Sequence, residues 1–495
     1  MIALPVLEEV LDASGAAPRI EAMLPSGARA RQLAVRTLLA GMMLALADGR
    51  PAHLTRVRQA LTALPEADQR RLGVLADWKN GPHLLTYRQA EYTFGLVTAA
   101  LGKDEPDGLP SPELRRVCDD LLEASIPEQF KNASTSLAVD WSDLESFSRP
   151  PPRGTRDCAD PEASWGHRKD NLTGDQDELF YGYYLSDAVT VPDEHGPPVP
   201  EFARRMTASS CRHDPVPAFT PVLTAMPEDG IPLGDVLADS GYSHRIPQHW
   251  ASPLRAAGAA LVQDLHPHDR GPKGTHAGAV IANGNLYCPA APRALLELGP
   301  LSRAATPAQA AQHDAKAAEA ARYKLGRLTS DDAHGYHRVA CPAAAGKVRC
   351  PLQPSSMTLD RARPEILTPP EHPPACCTQQ TITVPPAVNA KTRQKHDYPS
   401  AAWRRSYARR SGAERGFATA KDPASNNISR GWCRLMGLAP LTLFTATLLT
   451  VRNQRILAAW HARQEENTRR AAKGLPPKTR KRRRKTLAAL APAPP

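Results

Sequence analysis

The chain has no segment that reads as a secretory leader: the stretch from Met1 to Val10 carries Glu8 and Glu9 and no basic residues. It has no good membrane span either. Leu435 to Val451 is uncharged over 17 residues, but it is short for a span, contains Pro440 and lies between Arg434 and Arg452. That composition predicts a buried core helix. Cysteine is sparse and odd in number, nine among 495 residues, and no two are spaced C-x2-C. This excludes a zinc ribbon and argues against a disulfide framework, so a reducing cytoplasm is expected. Five cysteines do fall close together in sequence, as Cys288-Pro289, Cys341-Pro342, Cys350-Pro351 and Cys376-Cys377. Four thiolates can satisfy Zn²⁺, but buried or incidental thiols are the more economical reading.

Hydrophobic residues make up 41%, enough for a folded protein, and the length calls for two or three domains. The net charge of +11 is localised. Arg452 to Lys485 holds 13 Lys and Arg against 2 Glu, and the remainder is balanced at 49 of each sign. Such a segment, ending in KTRKRRRK from Lys478 to Lys485, can neutralise phosphates without reading sequence. Charge alone leaves a solubilising tail equally open.

Residues 1–125 read as helical, with arginines 29, 31, 36, 56 and 58 scattered through them. Ser26 is a candidate cap for a helix through Leu33 and Met43. Thr86 with Gln89 forms a capping-box pattern, and Ser111-Pro112-Glu113 is a helix start. This region is either a DNA-binding domain or a plain helical bundle. Residues 146–178 read as loop, and Phe180 to Val191 as a strand. Residues 251–400 are proline-rich and irregular, with one alanine-rich helix from Thr306-Pro307 to Leu325. Helices are expected again at 404–421 and 434–470, followed by a basic tail over 471–495. There is no internal repeat.

Two short apolar runs end in an acid: Leu137-Ala-Val-Asp140 and Asp235-Val-Leu-Ala-Asp239. Buried strands deliver such terminal acids to one sheet edge. Two carboxylates held close repel unless a cation lies between them, and hard divalent ions take oxygen ligands. A strand-end acid can equally be a simple turn residue. A third element adds weight. From Tyr407 the chain reads Y-x2-R-x3-E-x6-K, with Arg410, Glu414 and Lys421. On an ideal helix these fall at about 0°, 300°, 340° and 320°, within one sector of the surface.

This motif resembles the Y-R-E-K signature of the cut-and-paste DDE transposases of bacterial insertion sequences. Asp239-Ser-Gly-Tyr is similar to that group's second-aspartate motif, and Asp140 stands where its first aspartate stands, with Asp143 as the rival position. The resemblance covers about residues 135–450. It implies an α/β, RNase H-like mixed sheet flanked by helices, with the catalytic domain in two parts, 135–250 and 401–470. The partly β insertion, 251–400, would lie between the second aspartate and the glutamate. It further implies a catalytic, metal-binding triad of Asp140, Asp239 and Glu414 holding two Mg²⁺ or Mn²⁺ ions, and two-metal phosphoryl transfer. Water would free a 3′-hydroxyl, which forms a hairpin and then joins target DNA. Tyr407, Arg410 and Lys421 would grip DNA phosphates. The implied partners are double-stranded terminal repeats and target DNA, with a homodimer on paired ends, nucleoid-associated in the cytoplasm. Alternatives are an inactive relative that only binds DNA, and a metal-dependent nuclease without strand transfer.

Overall fold

The computed structural model describes residues 2–25, 33–50, 53–78, 81–104, 107–152, 155, 157–169, 177–302, 304–422, 428 and 433–478. Its centre is a mixed six-stranded sheet. The strands are β1 (Leu137–Glu145), β2 (Ser164–Lys169), β3 (Asp177–Thr190), β4 (Ala203–Ser210), β5 (Asp235–Ala238) and β6 (Ala260–Gln263). β3 pairs antiparallel with β1, β2 and β4, while β1, β5 and β6 run parallel to one another. The molecule is thus a mixed α/β protein. β1 is longer than its apolar run suggests, continuing past Asp140 to Glu145. The stretch expected as loop contains β2.

Both faces of the sheet are covered, so its central strands are apolar on both sides. Leu137, Val139, Ala188 and Val236 point to a core shared with α5 (Pro215–Thr224) and the short helix Ala251–Ala256. Ala138, Leu144, Val189, Leu237 and Val262 point the other way. That second core is continuous with α1 (Leu4–Ser14), α2 (Val35–Ala47), α3 (Tyr87–Leu101) and α4 (Pro112–Ala124). It also takes in α8 (Ser411–Ala420) and the buried first half of α9 (Leu438–Ala472). Leu435–Val451 therefore contributes to a core helix as its composition suggests, and among the described residues no helix is long and apolar enough to cross a membrane.

The capping signals behave as expected at three helix starts. Thr86 and Gln89 form a capping box on α3, Ser111 accepts from Leu114 N on α4, and Thr306 with Gln309 caps α6 (Pro307–Tyr323). The helix attributed to Ser26 is different. α2 begins at Val35 after an uncapped Ala34, and Ser26, Arg29 and Arg31 lie outside the described residues. Arg36 is engaged by Glu8 and Asp12 rather than standing free. The N-terminal region also contains a small hairpin, Leu75–Trp78 with Gly81–Leu84.

Residues 251–400 hold two three-stranded antiparallel sheets besides α6. One joins Pro272–His276, Ala279–Ala282 and Asn285–Tyr287, and the other Gly326–Arg327, His337–Ala340 and Ile382–Val384. The five clustered cysteines are all buried there. Cys288 and Cys350 lie in this region with Cys376 and Cys377, whose sulfurs are 4.0 Å apart. Burial pushes these four thiols up in pKa. Among the described residues no three of the cysteine sulfurs lie within 4.8 Å of one another.

Candidate active site

The pairing register sets the site. Leu137 pairs with Val236 and Ala138 with Leu237, a spacing of 99 residues. The same spacing separates Asp140 from Asp239, so the two acids lie level, just beyond the last parallel pair. On the other side Asp140 pairs directly with Asp187 of β3. Ala238 pairs with Gln263, which sets Asp264 level with Asp239. Four aspartates thus form one row across four adjacent strands. Strand alternation turns this row toward the face that α8 covers.

Asp143 belongs by the same alternation to the opposite set, with Leu137, Val139 and Trp141. It is held instead by Arg168 Nη2 at 2.6 Å and Lys421 Nζ at 2.8 Å. Although burial raises its pKa, the two cations bring it below the ordinary carboxylate value. This separates Asp140 from its rival: only Asp140 shares a face with Asp239 and the glutamate helix.

Burial pushes Asp140 up to about 6, with Arg410 opposing and the charge of Asp239 adding to the rise. Asp187 is 2% exposed and burial likewise pushes it up to about 6, against the attraction of Arg452. Arg452 comes from α9 and is itself fully buried, with its Nε and Nη1 lacking hydrogen-bond partners. The sheet centre thus packs acids densely and balances them with guanidinium groups from the turn just before α8 and from α9.

The second-aspartate turn is built by packing. Asp239 accepts from Gly241 N at 2.9 Å and so caps the one-turn helix Ser240–Ser243. A Cβ on Gly241 would stand 2.3 Å from the Trp141 ring, so glycine is what allows Trp141 to lie against the turn. Tyr242 is fully buried between Trp141 and Trp250, with ring centroids at 4.7 and 4.6 Å. It anchors the turn.

The glutamate segment is not the single straight helix that the spacing suggests. α7 (Ala401–Tyr407) ends at a 3₁₀ turn, Ala408–Arg410, and α8 starts at Ser411. The tighter turn breaks the common face. Tyr407 is stacked on Trp403 at 4.8 Å and is partly buried against the core, and Trp403 Nε1 donates to the Gln263 carbonyl at the end of β6. Arg410 lies over the Tyr407 ring, bonds Asp140 Oδ2 at 3.3 Å and reaches Glu414 Oε1 at 2.5 Å. Burial opposes its charge, but Tyr407, Asp140, Asp239 and Glu414 together raise its pKa. α8 can lie close to the sheet because Gly412 and Gly416 face it. Cβ atoms there would meet Val191 at 2.6 Å, and Arg452 and Asp187 at 3.3 and 3.5 Å.

The structure therefore gathers Asp140, Asp239, Glu414, Arg410 and Tyr407 into one region, and sets Lys421 on Asp143 at its edge. The guanidinium of Arg410 stands between Asp140 and Glu414, so the three carboxylates are not drawn into one tight cluster; among the described residues they do not all fall within 4.8 Å of each other. As a set of oxygen donors beside buried, mutually repelling acids, they suit a hard divalent cation. Asp187, Asp264 and Arg452 were not anticipated. Asp264 had a weaker signal, since the apolar run Ala260-Leu-Val262 is followed by Gln263 and then the acid. It accepts from Tyr398 Oη at 2.9 Å.

Comparisons with protein-family models, with curated proteins and with solved structures return no match to this chain.

Proposed function

We propose that the chain is a DNA transposase of the DDE type, acting by metal-dependent DNA cleavage and strand transfer. The observation that carries this reading is the register that sets Asp140 beside Asp239 on the face where the Glu414 helix packs. The arrangement agrees with an RNase H-like sheet, in which two aspartates come from strands and the glutamate from a later helix. Fold resemblance alone would not reach function; the acids and their cations support it.

Asp140, Asp239 and Glu414 would hold Mg²⁺ or Mn²⁺, which when bound supplies charge neutralisation at the reacting phosphate. Asp140 and Asp239 fix the position of that charge, since both are carried by a sheet packed on two faces. Glu414 is half exposed in the first turn of α8 and would complete the donor set. Arg410 balances the carboxylates in this structure. With DNA bound, its fork can turn to a phosphate, where planar donors bind two oxygens. Tyr407 supports it from below through the stacked ring. Double-stranded DNA ends and target DNA are the partners, and a homodimer would pair two ends.

Lys421 is assigned to phosphate contact near the cut. Beyond it, Arg415, Arg463, Arg470 and Lys478 line a groove of about 1480 Å³ beside α8 and α9. Lys421→Ala is expected to weaken end binding a few-fold and to lower the slope of log affinity against log salt by about 1. Binding titrations at several salt concentrations check this. An unchanged slope would remove Lys421 from the DNA path and leave it as the partner of Asp143.

A further inference from the structure

The loop that follows β6 reads Leu265-His-Pro-His-Asp269, and it folds back onto the turn after Asp239. We propose that His244, His266 and Asp269 form a binding site for one transition-metal ion of the zinc class, separate from the carboxylates around Asp140. One ligand atom from each of the three lies within 4.8 Å of the other two. The His244 and His266 rings are 4.0 Å apart. Asp269 Oδ1 is held by Lys391 Nζ at 2.8 Å. Its Oδ2 is buried, has no hydrogen-bond partner and faces His244 Nδ1 at 3.5 Å. A buried carboxylate oxygen left in this way is costly unless a cation or donor reaches it. His268 N lies 3.3 Å from His266 Nδ1, a long contact that a metal on that nitrogen would replace.

Two imidazoles and one carboxylate leave a coordination position open for water or a fourth ligand. His268, whose ring is 5.0 Å from His266, is the nearest further imidazole. Nitrogen donors favour Zn²⁺, Co²⁺ or Ni²⁺ over Mg²⁺, which distinguishes this site from the all-oxygen set at Asp140. His244 is exposed, which gives an ion a way in. The site would act on the neighbouring turn. His244 directly follows the helix that Asp239 caps, and His266 N donates to Ser243 Oγ at 3.2 Å. An ion there ties the loop after β6 to the turn that carries Asp239.

The test uses the full chain without a histidine tag, stripped by a chelator and titrated with Co²⁺ as the probe. Wild type is expected to take up one Co²⁺ with a visible absorption of nitrogen and oxygen ligation, displaced by Zn²⁺. Asp239→Asn should keep that signal. His266→Ala and Asp269→Asn should each weaken uptake at least about tenfold. The thermal midpoint of each metal-free variant, compared with metal-free wild type, shows that it is folded. A Co²⁺ signal unchanged in folded His266→Ala, one carrying sulfur charge-transfer bands from the cysteines of 288–377, or no uptake by wild type would each overturn the proposal.

Discussion

Glu414→Gln is expected to lower DNA cleavage by at least about a thousandfold, about 4 kcal/mol of transition-state stabilisation, while leaving DNA-end binding intact. The substitution keeps size and hydrogen-bonding capacity and removes only the negative charge. Glu414 is half exposed in the first turn of α8, so the fold does not depend on it. Its one direct partner among the described residues is Arg410, which retains Asp140 in the variant. On the proposed reading the variant loses one carboxylate donor, so the effect is expected on chemistry rather than on stability. Single-turnover cleavage together with a gel-shift titration separates the two. Equal cleavage by wild type and variant would take Glu414 out of the mechanism.

Arg205→Met is expected to lower stability by about 3 kcal/mol. Arg205 lies on β4 with its side chain 2% exposed. It joins Glu123 of α4 at 3.0 Å and Asp229, after α5, at 2.9 Å, with Asp119 of α4 at 3.5 Å. Methionine fills much of the volume but leaves these acids facing one another in a partly dry interface. The three carboxylates retain some solvent, and Arg204 and Arg116 remain on Glu123 and Asp229, which holds the loss to the low end of the range for broken buried pairs. Asp119 adds a pH dependence. Burial pushes it up to about 7, against the attraction of Arg205, with the neighbouring acids adding to the rise. A carboxyl raised in the folded state contributes stability in full below its unfolded value near 4, and that contribution is lost as pH rises through about 7. The Arg205→Met deficit should therefore be larger at pH 8 than at pH 5. Denaturant midpoints at the two pH values check this, and equal midpoints for variant and wild type would show that the cluster does not hold α4 to the sheet.

The sequence carried the acids and not their setting. Asp140 and Asp239 were legible because short apolar runs ended in them, and the Glu414 segment because four residue types recurred at fixed spacing. Their juxtaposition followed from a pairing register that neither run contains. Asp187 was hidden inside a long strand whose aromatic and β-branched neighbours gave it no distinguishing mark. Arg452 read as part of a basic segment, yet it is buried beneath α8, where its charge is matched by Asp187. Helical spacing placed Tyr407, Arg410, Glu414 and Lys421 on one face. The 3₁₀ turn at Ala408–Arg410 instead parts Tyr407, packed against the core, from Arg410 between two acids, and Lys421, just past the end of α8, bonds Asp143. Residues 251–400 were legible as irregular with one helix, but not their two small sheets, whose strands of two to five residues are too short to show a period.

The most direct test of the account is cleavage of supercoiled DNA carrying the ends of the chain's own element, with Mg²⁺ or EDTA, by wild type and Asp239→Asn. Wild type is expected to make metal-dependent double-strand cuts at those ends, with hairpin ends among the products, and Asp239→Asn none. Specific binding without cutting, or cutting that persists in Asp239→Asn, would contradict the account.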